Sequence, residues 1–274
     1  MPFGPPNDAR PIGMFDSGFG GLTVARALID LLPAENVVYF GDTGRYPYGP
    51  RPQAEVREFA HEITQFLVVE QHVKLVIVAC NTAAAAVPLD ELVDAYGVPV
   101  VSVIEPGVRA LISATTTGRI GVIGTVGTIR SGAYQQAVDE ADAGVELVCA
   151  ACPGFVEFVE RGQTGGEEVA LLAERLLAPI VAAKVDTLLL GCTHYPYLAR
   201  VIADAVGREV VLVSSADETA FDVAALLAGD TPARNGNATM GQQRFLSSGD
   251  ISWFRDLGSR LLGPELAAAE PHRF

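Results

Sequence analysis

Two stretches of the chain carry a cysteine in the same setting. Residues 74–86 read KLVIVACNTAAAA and residues 184–196 read KVDTLLLGCTHYP. Each begins with a lysine, climbs through aliphatic residues and reaches a cysteine, Cys80 or Cys192. Asn81 and Thr82 follow the first, Thr193 and His194 the second. The ordinary thiol pKa is about 8.5, and a helix start or a neighbouring imidazole lowers it toward a usable base. A lone cysteine reads equally well as a small buried hydrophobe. Two in matched positions, each with polar followers, weigh strongly against that reading and point to activated thiols. His194 is placed to tune the Cys192 thiol or to carry its proton. Asn81, Thr82 and Thr193 have the side chains that cap helices starting at these points.

Other loops could complete a site. FDSGFGG sets Asp16 and Ser17 before a run of glycines. Its spacing fits neither G-x-G-x-x-G nor the lysine-bearing phosphate loop. An acid at its start opposes phosphate, so Asp16 suits an ammonium partner or a general base. GDTGRYPYGPRP offers the Tyr48 hydroxyl and the Gly49 amide. GTVGT carries Thr125 and Thr128, hydroxyls that suit either helix capping or a carboxylate ligand. Cys149 and Cys152 in CAAC have metal or redox spacing. A zinc site needs two further ligands, however, and positions three apart on a strand face opposite sides. These two are read as structural, and no metal site is expected.

The elements that must hold these residues alternate. PIGMFD, NVVYFGD, LVIVAC and VPVVSVI read as strands separated by helical patterns, and the cycle restarts with RIGVIGT, VELVCAACP, DTLLLG and EVVLVSS. Strand–helix alternation with fully apolar strands implies parallel sheets covered on both faces. Each half runs from an Ile-Gly strand to a strand ending in cysteine, so the chain reads as two similar α/β domains facing each other. The expected division is residues 1–103 plus 214–274 for the first and 104–213 for the second. In such sheets ligands sit at the carboxyl ends of the strands, where both cysteines stand. Pro88 falls in the helical pattern after Asn81 and should kink or restart that helix. After Ser214 come a helix, the turn-rich TPARNGNATMG with an Asn237-Ala-Thr239 glycosylation pattern, the strand-like RFLSSGD and a helix packing back on the first domain. The last segment, PELAAAEPHRF, has no packing signal and is expected to fray.

Composition narrows the class. The chain has 274 residues, 49% hydrophobic and 19% charged, with net charge −14. No stretch approaches the ~20 apolar residues of a membrane span, and the Pro-rich start has no secretory apolar run. Four cysteines suit free thiols in a reducing cytoplasm. The acidic balance argues against nucleic acid as a partner. The only lysines are Lys74 and Lys184, both at strand starts, opposite the cysteine ends. A pyridoxal Schiff base is therefore not expected.

Taken together, FDSGFGG, GDTGRYPYG, ACNTA, GTVGTIRSGAY and GCTHYP resemble the glutamate racemase family, in its order and over nearly the whole chain, from about residue 11 to about residue 263. The resemblance implies a cofactor-independent enzyme that interconverts L- and D-glutamate for the bacterial cell wall. It further implies two domains with mostly parallel central sheets flanked by helices, the site in the cleft between them, and a homodimer. By position it implies catalytic roles for Cys80 and Cys192, with Asp16, His194 and Glu160 of VERG as supporting groups. Substrate contacts would come from Asp16, Ser17, Tyr48, Gly49, Asn81, Thr82, Thr125, Thr128, Thr193 and His194. The chemistry of the residues agrees, since racemisation takes a proton from one face of the α-carbon and returns one to the other. The nearest rival is a related aspartate racemase, in which a glutamate commonly stands at the place of His194. A rival of another class is a non-catalytic amino-acid-binding protein.

Overall fold

A computed structural model of the chain describes residues 8–229, 240–266 and 268–274. The strands are β1 (Ile12–Asp16), β2 (Val37–Gly41), β3 (Leu75–Val78), β4 (Val100–Ser102), β5 (Arg119–Gly124), β6 (Glu146–Ala151), β7 (Thr187–Gly191), β8 (Val211–Val213), β9 (Gln243–Ser247) and β10 (Glu270–Pro271). They form a six-stranded sheet ordered β10-β9-β2-β1-β3-β4 and a four-stranded sheet ordered β6-β5-β7-β8. Every pairing in both is parallel. The order β2-β1-β3-β4 in one sheet repeats as β6-β5-β7-β8 in the other, so the internal echo of the sequence is an echo of topology.

Both sheets are buried on two faces, as their continuous apolar strands require. Side chains alternate along each strand. Leu75 and Ile77 of β3 enter one core with Leu22, Leu28 and Phe254, while Val76 and Val78 enter another with Val56, Ile63 and Phe66. In β7, Leu188 and Leu190 pack with Leu177 and Ile202, and Leu189 packs with Val108 and Leu111 on the opposite face. The chain leaves the larger sheet after β4. It returns through the helix Ser215–Ala228, whose Ala216, Val223 and Leu227 join the core around β1. Pro88 restarts the helix, as expected: the turn Asn81–Ala84 ends and a new helix runs Leu89–Tyr96.

Lys74 is fully buried at the start of β3, where its Nζ donates to Glu35 Oε2 at 2.7 Å and to the Asp8 carbonyl at 3.0 Å. Lys184 ends the helix Glu167–Ala183 in a left-handed conformation just before β7. Both lie at the strand ends opposite the cysteines.

The final segment departs from expectation. Leu266 is fully buried, residues 270–271 add β10 to the sheet edge, and His272 stacks on Phe66 with centroids 3.8 Å apart. No periodic pattern announces packing here, yet Leu266, His272 and Phe274 each meet partners supplied by distant chain. Most of TPARNGNATMG, including Asn237, lies outside the described residues.

Candidate active site

The carboxyl ends of β1, β3, β5, β6 and β7 converge on one cavity of ≈ 120 Å³. That is small beside the about 300–1,000 Å³ of pockets for drug-sized ligands, and suits a small metabolite. Its walls include Asp16, Ser17, Cys80, Asn81 and Thr82 from the larger sheet and Thr125, Cys192, Thr193 and His194 from the smaller, with Tyr48 and Gly49 in the loop after β2. Cys80 directly follows Ala79 at the end of β3, and Cys192 follows β7 at once, so the matched sequence positions become matched positions in space.

The two halves meet closely here. Thr193 Oγ1 donates to Asp16 Oδ2 at 3.3 Å. A Cβ on Gly20 would lie 2.3 Å from Thr193 Oγ1 and 2.5 Å from His194 Nδ1, so only glycine admits that approach. The Gly127 amide donates to the Gly49 carbonyl at 2.9 Å, where a Cβ on Gly127 would lie 2.7 Å from the same oxygen.

Each thiol has its own surroundings. Cys80 Sγ lies 3.8 Å from Ser17 Oγ. Burial, with the Asp16 carboxylate second, pushes the Cys80 thiol up to about 12. This corrects the expectation that a helix start would favour its thiolate. The helix after Cys80 is a single turn, Asn81–Ala84, and desolvation outweighs it. Cys192 Sγ lies 3.9 Å from His194 Nδ1, and His194 Nε2 lies 3.2 Å from Glu160 Oε1. Burial opposes the His194 cation, but the Cys192 and Glu160 hydrogen bonds and the nearby Asp16 charge outweigh it and push its pKa up to about 10. Burial also lifts the Asp16 carboxyl above its usual range, against His194 and the Gly18 and Gly21 amides. Glu160 stands behind His194 rather than on the cavity wall, whereas Glu157 is on the wall.

Several hydroxyls and amides are committed differently from the sequence expectation. Neither Asn81 nor Thr193 caps a helix; Cys80 is the N-cap residue of the first turn and makes no side-chain cap bond. Asn81 Oδ1 instead accepts from Tyr134 at 2.6 Å, leaving its Nδ2 donor buried with no protein partner among the described residues. A buried donor in that state is open to an acceptor from water or a ligand. The Tyr48 hydroxyl is donated to Asp42 Oδ2, whose carboxylate also accepts from Arg45 Nε at 2.7 Å and Ser248 Oγ at 2.5 Å. Tyr48 therefore offers the cavity its ring, not a free hydroxyl. Thr82, Thr125 and Thr128 hydrogen-bond one another at 2.9–3.2 Å in a closed triangle. Thr125 also caps the helix Val126–Ser131, and Thr128 is fully buried behind it.

Sequence reasoning missed Tyr46, Pro153 and Val156 on the wall; Glu157, the alternative to Glu160 one turn earlier, and Cys152, read as structural, are there too. Cys149 and Cys152 do face opposite cores, as expected of a strand. But β6 pairs Ala151 with Gly124 of β5, so Cys152 follows a strand end as Thr125 does. The rule that placed Cys80 and Cys192 at strand ends would have placed Cys152 there too.

The sequence model of Asp/Glu/Hydantoin racemase matches residues 13–220. The chain belongs to that racemase family. It is 53% identical over 258 residues to the glutamate racemase of Parafrankia sp. (strain EAN1pec), covering 94% of this chain and 92% of that one. Among solved structures, glutamate racemase isoform RacE1 from Bacillus anthracis is similar with a TM-score of 0.87 and 40% identity, covering 96% of this chain and 97% of that one. The glutamate racemase from Francisella tularensis in complex with D-glutamate gives 0.89 and 33%, over the same shares of each chain. Glutamate racemases of known structure thus share this chain's architecture over 96% of its length. Among the described residues no helix is long and apolar enough to cross a membrane.

Proposed function

We infer that this chain is an isomerase that interconverts L- and D-glutamate by two thiol bases, supplying D-glutamate for peptidoglycan. The observation that carries the reading is the pair Cys80 and Cys192. They end equivalent strands of two sheets with the same strand order, and both line one small cavity. One thiol takes the α-proton from one face while the other delivers a proton to the opposite face. The glutamate racemase resemblance assigns Cys80 to D-glutamate and Cys192 to L-glutamate.

The surrounding groups have distinct work. The substrate ammonium, brought beside Asp16 and Cys80, offsets the desolvation that keeps Cys80 a thiol. His194, hydrogen-bonded between Cys192 and Glu160, holds positive charge beside the second thiol and can exchange its proton. The unpartnered Asn81 amide is a donor for a substrate carboxylate. Ser17, Thr82, Thr125 and Thr193 line the same space, while Tyr48, Gly49 and Thr128 shape it. No step needs a pyridine cofactor, and both lysines lie at the wrong end of their strands to hold one. The reading divides the chain at 1–103 plus 214–274 and 104–213, with the site between these units. It is completed by a homodimer acting in the cytoplasm, where thiols stay reduced.

A glutamate analogue with a leaving group on the β-carbon tests the two-base arrangement. Loss of the α-proton expels that group with its electron pair and leaves a Cα=Cβ double bond, so no proton need be returned. Cys80→Ala and Cys192→Ala should each lose racemisation almost completely. Yet Cys80→Ala should eliminate from the L analogue only, and Cys192→Ala from the D analogue only. Elimination from the same enantiomer by both variants would refute the facing-thiol reading. Racemisation of aspartate in preference to glutamate would favour the rival activity.

A further inference from the structure

The last residues of the chain reach the loop that carries Tyr48 and Gly49. His272 stacks on Phe66 of the helix Gln53–Val69, and Phe274 packs on Phe40 and Phe66 with centroids 5.4 and 6.0 Å apart. The His272 amide donates to the Ser247 carbonyl at 2.9 Å, fixing the segment beyond β10. From this seat Phe274 meets Arg45, whose guanidinium carbon lies 4.7 Å from its ring centroid and 4.0 Å from that of Phe59. Arg45 in turn donates to Asp42 and pairs with Glu62. Asp42, buried, receives the Tyr48 hydroxyl, and the Tyr48 ring packs on Phe59 at 5.4 Å. An unbroken line of contacts thus runs from residues 272–274 through Arg45 and Asp42 to Tyr48 on the cavity wall.

We propose that Phe274 and His272 are positioning residues for the reaction: seated on Phe66 and Arg45, they hold the 42–49 loop in the geometry that receives substrate. Three features support the assignment. Phe274 remains half exposed, so its ring does little to fill a core and its contacts are concentrated on Arg45 and the two phenylalanines. The loop's other ties are its amide bonds to the Asp16, Gly41 and Asp42 carbonyls and the Ser248 hydroxyl, Thr43 Oγ1 with Ser247 Oγ at 2.6 Å, Ser248 Oγ to Asp42 Oδ1 at 2.5 Å and the Gly127 amide to the Gly49 carbonyl at 2.9 Å, and none of these holds the Arg45 side chain. Arg45 is the loop's only cation and has aromatic rings for neighbours, an arrangement that fixes a guanidinium without desolvating it fully. The role rests on the glutamate racemase reading for its substrate, but the mechanical link does not.

The test separates the two. Hydrogen–deuterium exchange of the segment 42–49 is measured in wild type, Phe274→Ala and a variant ending after Pro271. Exchange in that segment should rise in both variants, while β1, β3 and β7 stay protected as in wild type. For glutamate, KM should rise about tenfold in Phe274→Ala, the worth of one lost cation–π contact, with kcat within about twofold. Phe274→Tyr, which keeps the ring, should restore both readouts. Unchanged exchange in 42–49 would overturn the proposal, whatever the activity. So would a loosened loop with an unchanged KM, or a fall in kcat alone. Failure of the wild type to racemise glutamate would count against the proposed function, leaving the exchange result to decide whether the tail holds the loop.

Discussion

The free protein should keep Cys80 as a thiol far above neutral pH. Burial and the Asp16 carboxylate push its pKa from an ordinary 9.0 up to about 12. At pH 8 the thiolate fraction is then ~10⁻⁴ rather than ~10⁻¹, a thousandfold deficit equivalent to about 4 kcal/mol. Alkylation by iodoacetamide follows the thiolate, so its rate at Cys80, resolved peptide by peptide in a mass spectrometer, reports that fraction. Burial also slows the reagent physically, and pH dependence separates the two causes. Steric shielding lowers the rate at every pH without moving the inflection. A raised pKa keeps the rate climbing tenfold per pH unit through pH 10, where the urea-unfolded chain has levelled off. The expected result is that continued climb, with a rate at pH 8 at least about a thousandfold below that of the unfolded chain, steric shielding adding to the deficit. Levelling at or below pH 9 in the folded protein would refute the reasoning. It would mean that nearby amides, not desolvation, govern this thiol, and that Cys80 is a base before substrate arrives.

Two further outcomes follow from close contacts. Gly20→Ala forces a Cβ into Thr193 and His194, so kcat/KM for glutamate should fall by about a hundredfold, as a ~1 Å misplacement does, with the circular dichroism spectrum kept. Lys74→Met removes the buried Lys74–Glu35 ion pair and should cost about 3–5 kcal/mol in urea unfolding, while the activity of the folded fraction stays within about twofold.

Much of the architecture is written locally. Apolar runs such as LVIV and TLLLG, alternating with helical patterns, read as strands buried on both faces, and the repeat of an Ile-Gly strand and a cysteine strand pointed to two similar units; the structure adds that their sheets share one strand order. Most of the cavity lining was legible for the same reason: a parallel sheet brings the residues after its strands together, so position along a strand fixes position in the cavity. What stayed hidden depends on partners far away in sequence. Nothing near Tyr48 says that its hydroxyl belongs to Asp42, and GTVGT does not reveal that Thr82 closes a triangle with Thr125 and Thr128. The segment 264–274 looked frayed because its anchors, Phe66, Arg45 and the core cluster around Leu22 that Leu266 joins, come from other elements. Cys80 misled most instructively. A helix start is a local feature and burial is not, so the sequence displayed the weaker of the two influences on its thiol.

The two sheets repeat one strand order, yet the groups around their thiols are unlike. Cys80 faces Ser17 and lies near Asp16, whereas Cys192 faces His194 backed by Glu160. A racemase joins mirror-image molecules whose free energies in water are identical, so its equilibrium constant is one. Detailed balance then requires kcat/KM to be the same for both enantiomers, however lopsided the cavity. The unlike halves can show themselves only in how each kcat/KM divides between kcat and KM, that is, in which enantiomer dwells longer on the protein. A substitution at His194 must therefore lower kcat/KM for L- and D-glutamate by one common factor, although it touches only one thiol.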